Sequence, residues 1–314
     1  EKIKQFISKI NILALISEKE FQSALYKVSE NLVNLEKTSY QQIENQREAI
    51  DQLLTCLDEK RTVIAMENTG RYNWELYDAL AGKHYGVYVL SPLHLKQSLG
   101  LTRGKNDQVD ANRIACFIQK NYRDLPQWEQ ESPTLQQLKV LLAERKMLVR
   151  YRSTMIKNRK ELYLIKENDF RKKAESRLQC RIEQIQVDIT VVENEMNELI
   201  AADQHLKEQV DLLESIPGVG KVLSWNLVIK TNGFQRIYEP RKLACYAGVV
   251  PFDHQSGTSV KRRAAVSNLA DKQLKTALHM ATMVASRFDP ELKTYYIRKV
   301  LEGKNKMAVL NAIR

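Results

Sequence analysis

The chain has 314 residues, a hydrophobic fraction of 43% and a formal net charge of +11 at pH 7. That length implies two or three folding units with at least one sizeable core, and the basic excess points to a polyanionic partner. No apolar run is long enough to span a bilayer, the first residues lack a signal-peptide layout, and the four scattered cysteines (Cys56, Cys116, Cys180, Cys245) form neither a disulfide frame nor a zinc site, which favours a reduced, cytoplasmic setting.

Residues 1–128 read as an α/β domain. "NILALI" and "FQSALYKV" have strand character, and "RTVIAME" (61–67) is a short apolar run of the buried-strand type. "WELYDALAG" predicts a helix closing on Gly82, and "YGVYVLS" another strand ending before Pro92. In "RGKNDQVDANRIACF" (103–117), Asp107 and Asp110 stand three apart where a helix begins, so they are neighbours on one face. Two readings stay open from these residues alone: a helix N-cap with a favourable first-turn charge, or two carboxylates sharing a cation. "LPQWEQESP" (125–133) reads as a linker.

Residues 129–214 form a helical region, and from 134 onwards it holds no glycine or proline. Leu178, Ile182, Ile185, Ile189, Val192, Met196 and Leu199 follow a 4-3-4-3-4-3 spacing, while Leu141, Leu148, Met155 and Leu162 stand seven apart. The pattern predicts a long coiled-coil helical hairpin turning near "KENDF", or a seam that joins subunits. Its charge is segregated: fourteen basic residues against five acidic from Lys139 to Arg181, then nine acidic against one basic from Glu183 to Glu214. A solvated helix face does not explain that split. A nucleic-acid-facing stretch that includes Arg150, Arg152, Lys157, Arg159 and Lys160 does.

Residues 215–314 read as a mainly α C-terminal unit. "IPGVGK" sets Gly218, Gly220 and Lys221 in a turn between helices, the helix–hairpin–helix way of meeting a phosphate backbone, or else simply a tight turn. "YAGVVPFDHQSGTSVKRRAAVSNL" reads as a polar loop in which Ser256 precedes Gly257 and the basic triplet Lys261, Arg262, Arg263. A serine beside such cations suits a nucleophile facing a phosphodiester. Tyr151, Trp225 and Tyr246 read as core or interface aromatics. Glu67 completes the pattern: a carboxylate at a strand end, with two more at the start of a later helix, assembles the hard-oxygen cage that Mg²⁺ takes in nuclease-like sites.

"MENTGRY", "GKNDQVDANRIA", "IPGVG" and "YAGVVPFDHQSG" together resemble, in order, the signature blocks of the DEDD-type insertion-sequence transposases, the IS-one-ten family related to the Piv invertases. The resemblance covers nearly the whole chain. It implies a RuvC-like (ribonuclease-H) N-terminal domain, a coiled-coil middle and a C-terminal transposase domain with a serine nucleophile. It also implies prokaryotic, nucleoid-associated DNA recombination guided by a structured RNA that pairs with donor and target DNA. Carried over by motif, Glu67, Asp107 and Asp110 are three metal ligands, with Lys105 beside them and Asn106 where the family has Thr. Ser256 is the nucleophile, forming a phosphoserine link to a DNA end, with Ser259 and Ser267 as alternatives in a shifted register.

The front of the chain departs from the pattern. Phe6, in "QFISK", stands where the family's first Asp is expected, and Glu18 or Glu20 substitutes only by a rearrangement. Either the copy has decayed or residues are missing around positions 6–12; the second is preferred, since the chain lacks an initiating Met and ends within a helical pattern. Strand exchange needs several sites at once, so a homo-oligomer, a dimer or tetramer, is expected. The rivals are a metal-dependent nuclease or resolvase that makes no use of the serine, an inactive nucleic-acid-binding remnant, and an architectural coiled-coil protein.

Overall fold

A computed structural model of the chain describes residues 11–17, 20–28, 35–98, 107–256 and 260–314. The chain divides into two compact units, 1–130 and 131–314.

The first unit is built on a five-stranded mixed sheet. The first strands are β1 (Asn11–Ser17), β2 (Glu20–Val28) and β3 (Leu35–Glu44), followed by helix α1 (Arg47–Thr55), β4 (Thr62–Glu67), helix α2 (Trp74–Leu80) and β5 (Gly86–Leu90). The order across the sheet is β3-β2-β1-β4-β5. β1, β2 and β3 form an antiparallel meander, while β1, β4 and β5 run parallel. Helix α3 (Pro92–Ser98) follows β5, and α4 (Asp107–Asn121) closes the element order of the unit.

Side chains alternate along β4. Ile64 and Met66 enter a core with Ile50 and Leu54 of α1 and Leu76, Ala79 and Leu80 of α2. Ala65 enters a second core with Ala111, Ile114, Ala115 and Ile118 of α4, against which Val63 also packs. The sheet is therefore covered on both faces, which explains why "TVIAM" is a run of apolar residues behind its leading threonine rather than an alternation. The 125–133 segment is not free chain. Trp128 donates its backbone N–H to the Val87 carbonyl at 2.7 Å and stacks on Tyr77 with ring centroids 4.8 Å apart.

In the second unit, Pro133 at the first helical position and the Ser132 hydroxyl, which accepts from Leu135 N–H at 3.2 Å, start α5 (Pro133–Glu161). A short turn leads to α6 (Asn168–Ala202). The two run antiparallel: Leu135, Leu138 and Leu141 share a core with Val192, Met196 and Ile200, Arg145 Nε meets Glu193 Oε1 at 2.7 Å, and Arg159 bonds Gln179 further out. The heptad stripe of α6 thus faces α5 of the same chain. Helices α7 (Gln204–Glu214) and α8 (Lys221–Thr231) extend this core through Leu206, Val210, Trp225 and Val228. Then come α9 (Pro240–Tyr246), the hairpin β6 (Pro251–Ser256) and β7 (Val260–Val266), and helices α10 (Lys272–Phe288), α11 (Pro290–Leu301) and α12 (Lys306–Ile313). The segment read from sequence as a polar loop is this β-hairpin; its strands are short and polar, so backbone pairing rather than an apolar alternation defines them.

The turn between α7 and α8 holds Gly218 at φ +92°, and a Cβ there would collide with the Ala281 carbonyl oxygen of α10. Gly220 has nothing within 4 Å of an added Cβ. Gly218→Ala is therefore expected to destabilise the chain by about 2–4 kcal/mol, through left-handed strain and overpacking, and Gly220→Ala by less than about 0.5 kcal/mol. Urea titration of both variants separates the two roles.

Candidate active site

Glu67 ends β4, and its position shares the parity of Val63 and Ala65, so it stands on the face of the sheet that α4 covers. The loop after it is firmly held. Asn68 N–H bonds the Leu90 carbonyl at 2.8 Å, which ties the loop to the end of β5. Asn73 is fully buried; its amide nitrogen donates to the Glu67 carbonyl at 2.9 Å and to Tyr77 Oη at 3.2 Å, while its oxygen accepts from Thr69 Oγ1 at 2.6 Å. Asn73 stands at the N-cap position of α2, yet it makes no capping bond. Its work is to brace the strand-end acid, a role with no sequence signal beyond its distance of six residues from Glu67.

Helix α4 begins at Asp107, and Asp110 lies in its first turn beside buried Ala111. The Asp110 carboxylate accepts from Arg113 Nη1 at 2.6 Å, both side chains being partly buried. The Asp107 side chain and residues Lys105 and Asn106 lie outside the described residues, as does the Phe6 region. Among the described residues, which do not include the Asp107 side chain, no group of three metal-ligating side chains occurs.

In the second unit, Ser256 is the last residue of β6 and pairs with Val260; Gln255 pairs with Lys261 and His254 with Arg262. The register thus brings the serine and the basic triplet to one end of one hairpin. Residues 257–259, including Ser259, and the side chains of Ser256 and Lys261 to Arg263 are outside the described set. Ser267 follows β7, and its hydroxyl accepts from Leu269 N–H at 3.2 Å.

Both stems of the hairpin are anchored by Asp271, a residue with no motif signal in the sequence. Its Oδ1 caps α10 by accepting from Gln273 N–H at 3.0 Å and Leu274 N–H at 2.9 Å. Its Oδ2 takes the Lys230 ammonium of α8 and the Tyr246 hydroxyl of α9 at 3.3 Å, and its own N–H bonds the Tyr246 carbonyl at 2.9 Å. Asn311 of α12 adds a bond to the Val249 carbonyl at 2.7 Å. Burial pushes the Asp271 carboxyl up, but Lys230 and the two capping N–H groups outweigh it and hold the group below its ordinary value of 3.8. A carboxyl depressed on folding contributes stability that is present above its unfolded value and lost as pH falls through the folded one. Stability is therefore expected to drop on acidification below about pH 4, and Asp271→Asn to flatten that part of the profile in denaturant titrations across pH.

Of the remaining basic residues singled out by sequence, Arg150, Lys157 and Lys160 are exposed on the outer half of α5, and Arg152 and Arg159 are partly buried there. Gly220 and Lys221 are exposed at the start of α8. No described helix is long and apolar enough to cross a membrane.

Two family models match this chain. One, for the DEDD transposase of IS110 type, covers residues 18–164; the other, "Transposase IS116/IS110/IS902 family", covers residues 210–297. The chain is 27% identical over 255 residues to the pilin gene-inverting proteins of Moraxella bovis and Moraxella lacunata, spanning 80% of this chain and 76% of each relative. It is 32% identical over 93 residues to an uncharacterized 43.6 kDa protein of insertion element IS110 from Streptomyces coelicolor, covering 30% of this chain and 23% of that one. The protein is thus an enzyme of the transposase and DNA-recombinase class, with DNA as its partner. It belongs to the IS110 transposase family.

Proposed function

We propose that this transposase cuts and rejoins DNA through a covalent bond between Ser256 and a DNA end, with Mg²⁺ held by Glu67, Asp107 and Asp110, and with a structured RNA selecting donor and target. The observation that carries the metal reading is the parity of β4, which sets Glu67 on the side of the sheet where α4 starts with its two acids. The sheet order β3-β2-β1-β4-β5, with its parallel β1-β4-β5 half, supports a RuvC-like reading of residues 1–128.

Carboxylate oxygens are the donors a hard dication takes, and Mg²⁺ keeps its other positions for water and phosphate oxygens, so the residue types fit. When bound, the ion neutralises phosphate charge and lowers the pKa of an oxygen it ligates. The chain's own chemistry is a transesterification. The Ser256 oxygen bonds to phosphorus, the bond from phosphorus to the departing nucleotide oxygen breaks, and the serine proton ends on the freed hydroxyl. One phosphoester replaces another, so rejoining needs no external energy source. Lys261, Arg262 and Arg263 stabilise the charge on the phosphate as it becomes five-coordinate. Base pairing reads sequence while the basic surfaces, including Lys105 and Lys221, hold backbones by charge and shape, and Gly220 lets a backbone approach the turn closely. Two or four subunits supply the several sites that strand exchange requires.

Cleavage of element-end DNA in Mg²⁺, after EDTA, and after Mg²⁺ is restored tests the metal reading. Loss with EDTA and recovery with Mg²⁺ are expected; cleavage that persists in EDTA contradicts it.

A further inference from the structure

The hairpin of α5 and α6 ends in a turn that the catalytic reading does not use. Tyr163, Leu164 and Phe170 are exposed there, at 71%, 68% and 52%. None of the three lies on the heptad stripe, so none is an extension of the hairpin core. Single exposed apolar residues need no explanation, but three at one tip beside concentrated charge do. Between Lys157 and Arg177 there are eight basic residues against four acidic. Lys160, Lys166, Lys172 and Lys173 are exposed. Between the helices, next to the turn, runs a groove of about 490 Å³ lined by Arg159, Lys172, Glu175, Ser176 and Gln179. Its one acid, Glu175, is held by Arg171 at 3.7 Å.

We infer that this tip is a docking surface for an unpaired DNA strand, with Tyr163 and Phe170 stacking on bases and the basic groove following the phosphates. Aromatic platforms flanked by cations are the chemistry that holds single strands, because every base offers a π-face while a duplex hides its bases in the stack. A recombinase exposes such strands whenever it exchanges ends. A tip built to contact protein would have little use for the surrounding net positive charge, whereas phosphates are complementary to it. The inference rests on the DNA partner of the family and not on the assignment of Ser256.

The test is fluorescence anisotropy with the full chain and a labelled mixed-sequence single-stranded DNA, the same sequence as a duplex, and the same sequence as RNA. The Tyr163→Ala/Phe170→Ala double variant is expected to lose single-strand affinity by roughly tenfold or more while its duplex affinity stays within about twofold. Tyr163→Phe, which keeps the ring, restores single-strand binding when paired with native Phe170. Arg159→Gln/Lys172→Gln is expected to weaken both DNA forms and flatten the salt dependence. Circular dichroism at native helicity confirms that the surface variants fold. Unchanged single-strand binding in the aromatic double variant overturns the inference. So does RNA held tightly where DNA is not, or loss of self-association without loss of DNA binding.

Discussion

Ser256→Ala is expected to abolish strand transfer, by roughly 10³-fold or more, because no neighbouring group replaces a covalent nucleophile. DNA affinity is expected to stay within about twofold, since removing one hydroxyl leaves the cationic contacts in place. The hairpin register is what supports the proposed choice of serine. Ser256 pairs with Val260, and Lys261 and Arg262 pair with the two residues before it, so the serine stands where the basic strand begins. Ser267 is differently occupied, its hydroxyl accepting from Leu269 N–H in a local turn. Ser267→Ala is thus expected to retain strand transfer within a few fold. The contrast between these two variants, measured as joined product against time, separates nucleophile from turn former.

Glu67→Gln and Asp110→Asn, which keep shape and remove charge, are each expected to lower strand cleavage by about 10²-fold or more with little loss of DNA binding. Groups that hold one ion act as a unit, so the double variant should be hardly worse than the single ones. Excess Mg²⁺ should partly rescue either single variant if the defect is one of affinity. The structure adds a second expectation for Asp110. Its 2.6 Å bond to Arg113 means that removing its charge also weakens a partly buried ion pair, so Asp110→Asn should cost up to about 1 kcal/mol of stability as well as activity. Stability and cleavage measured together keep the two effects apart; a fall in stability alone, with cleavage intact, would argue against a metal role.

Much of the first unit was legible because its strands carry strong apolar patterns. β1, β2, β4 and β5 all fall where "NILALI", "FQSALYKV", "RTVIAME" and "YGVYVLS" stand. β3 was not, because "LEKTSYQQIE" is polar and carries no apolar alternation; among the described residues it pairs with β2 at the edge of the sheet. The helical hairpin was legible from its heptads, including the turn beside "KENDF", since a buried stripe is a one-dimensional pattern. What sequence did not reveal are the long-range polar braces. Asn73 resembles a cap and instead holds Glu67; Asp271 is a cap and also joins α8, α9 and α10. A side chain that serves two distant partners leaves no periodic trace. Motif order pointed to Glu67, Asp107, Asp110 and Ser256; strand parity sets Glu67 on the face of the sheet that α4 covers, and Asp110 lies in the first turn of that helix.

The most direct measurement is identification of the amino acid joined to DNA during the reaction. The protein, purified with its co-expressed RNA, is mixed with element-end DNA and Mg²⁺, stopped in denaturant, digested with nuclease and protease, and the peptides are weighed by mass spectrometry. A nucleotide mass on the peptide containing Ser256, absent from Ser256→Ala, is the expected result. Cleaved DNA whose ends carry no protein, unchanged in Ser256→Ala, would contradict the account and leave a metal-dependent nuclease in its place.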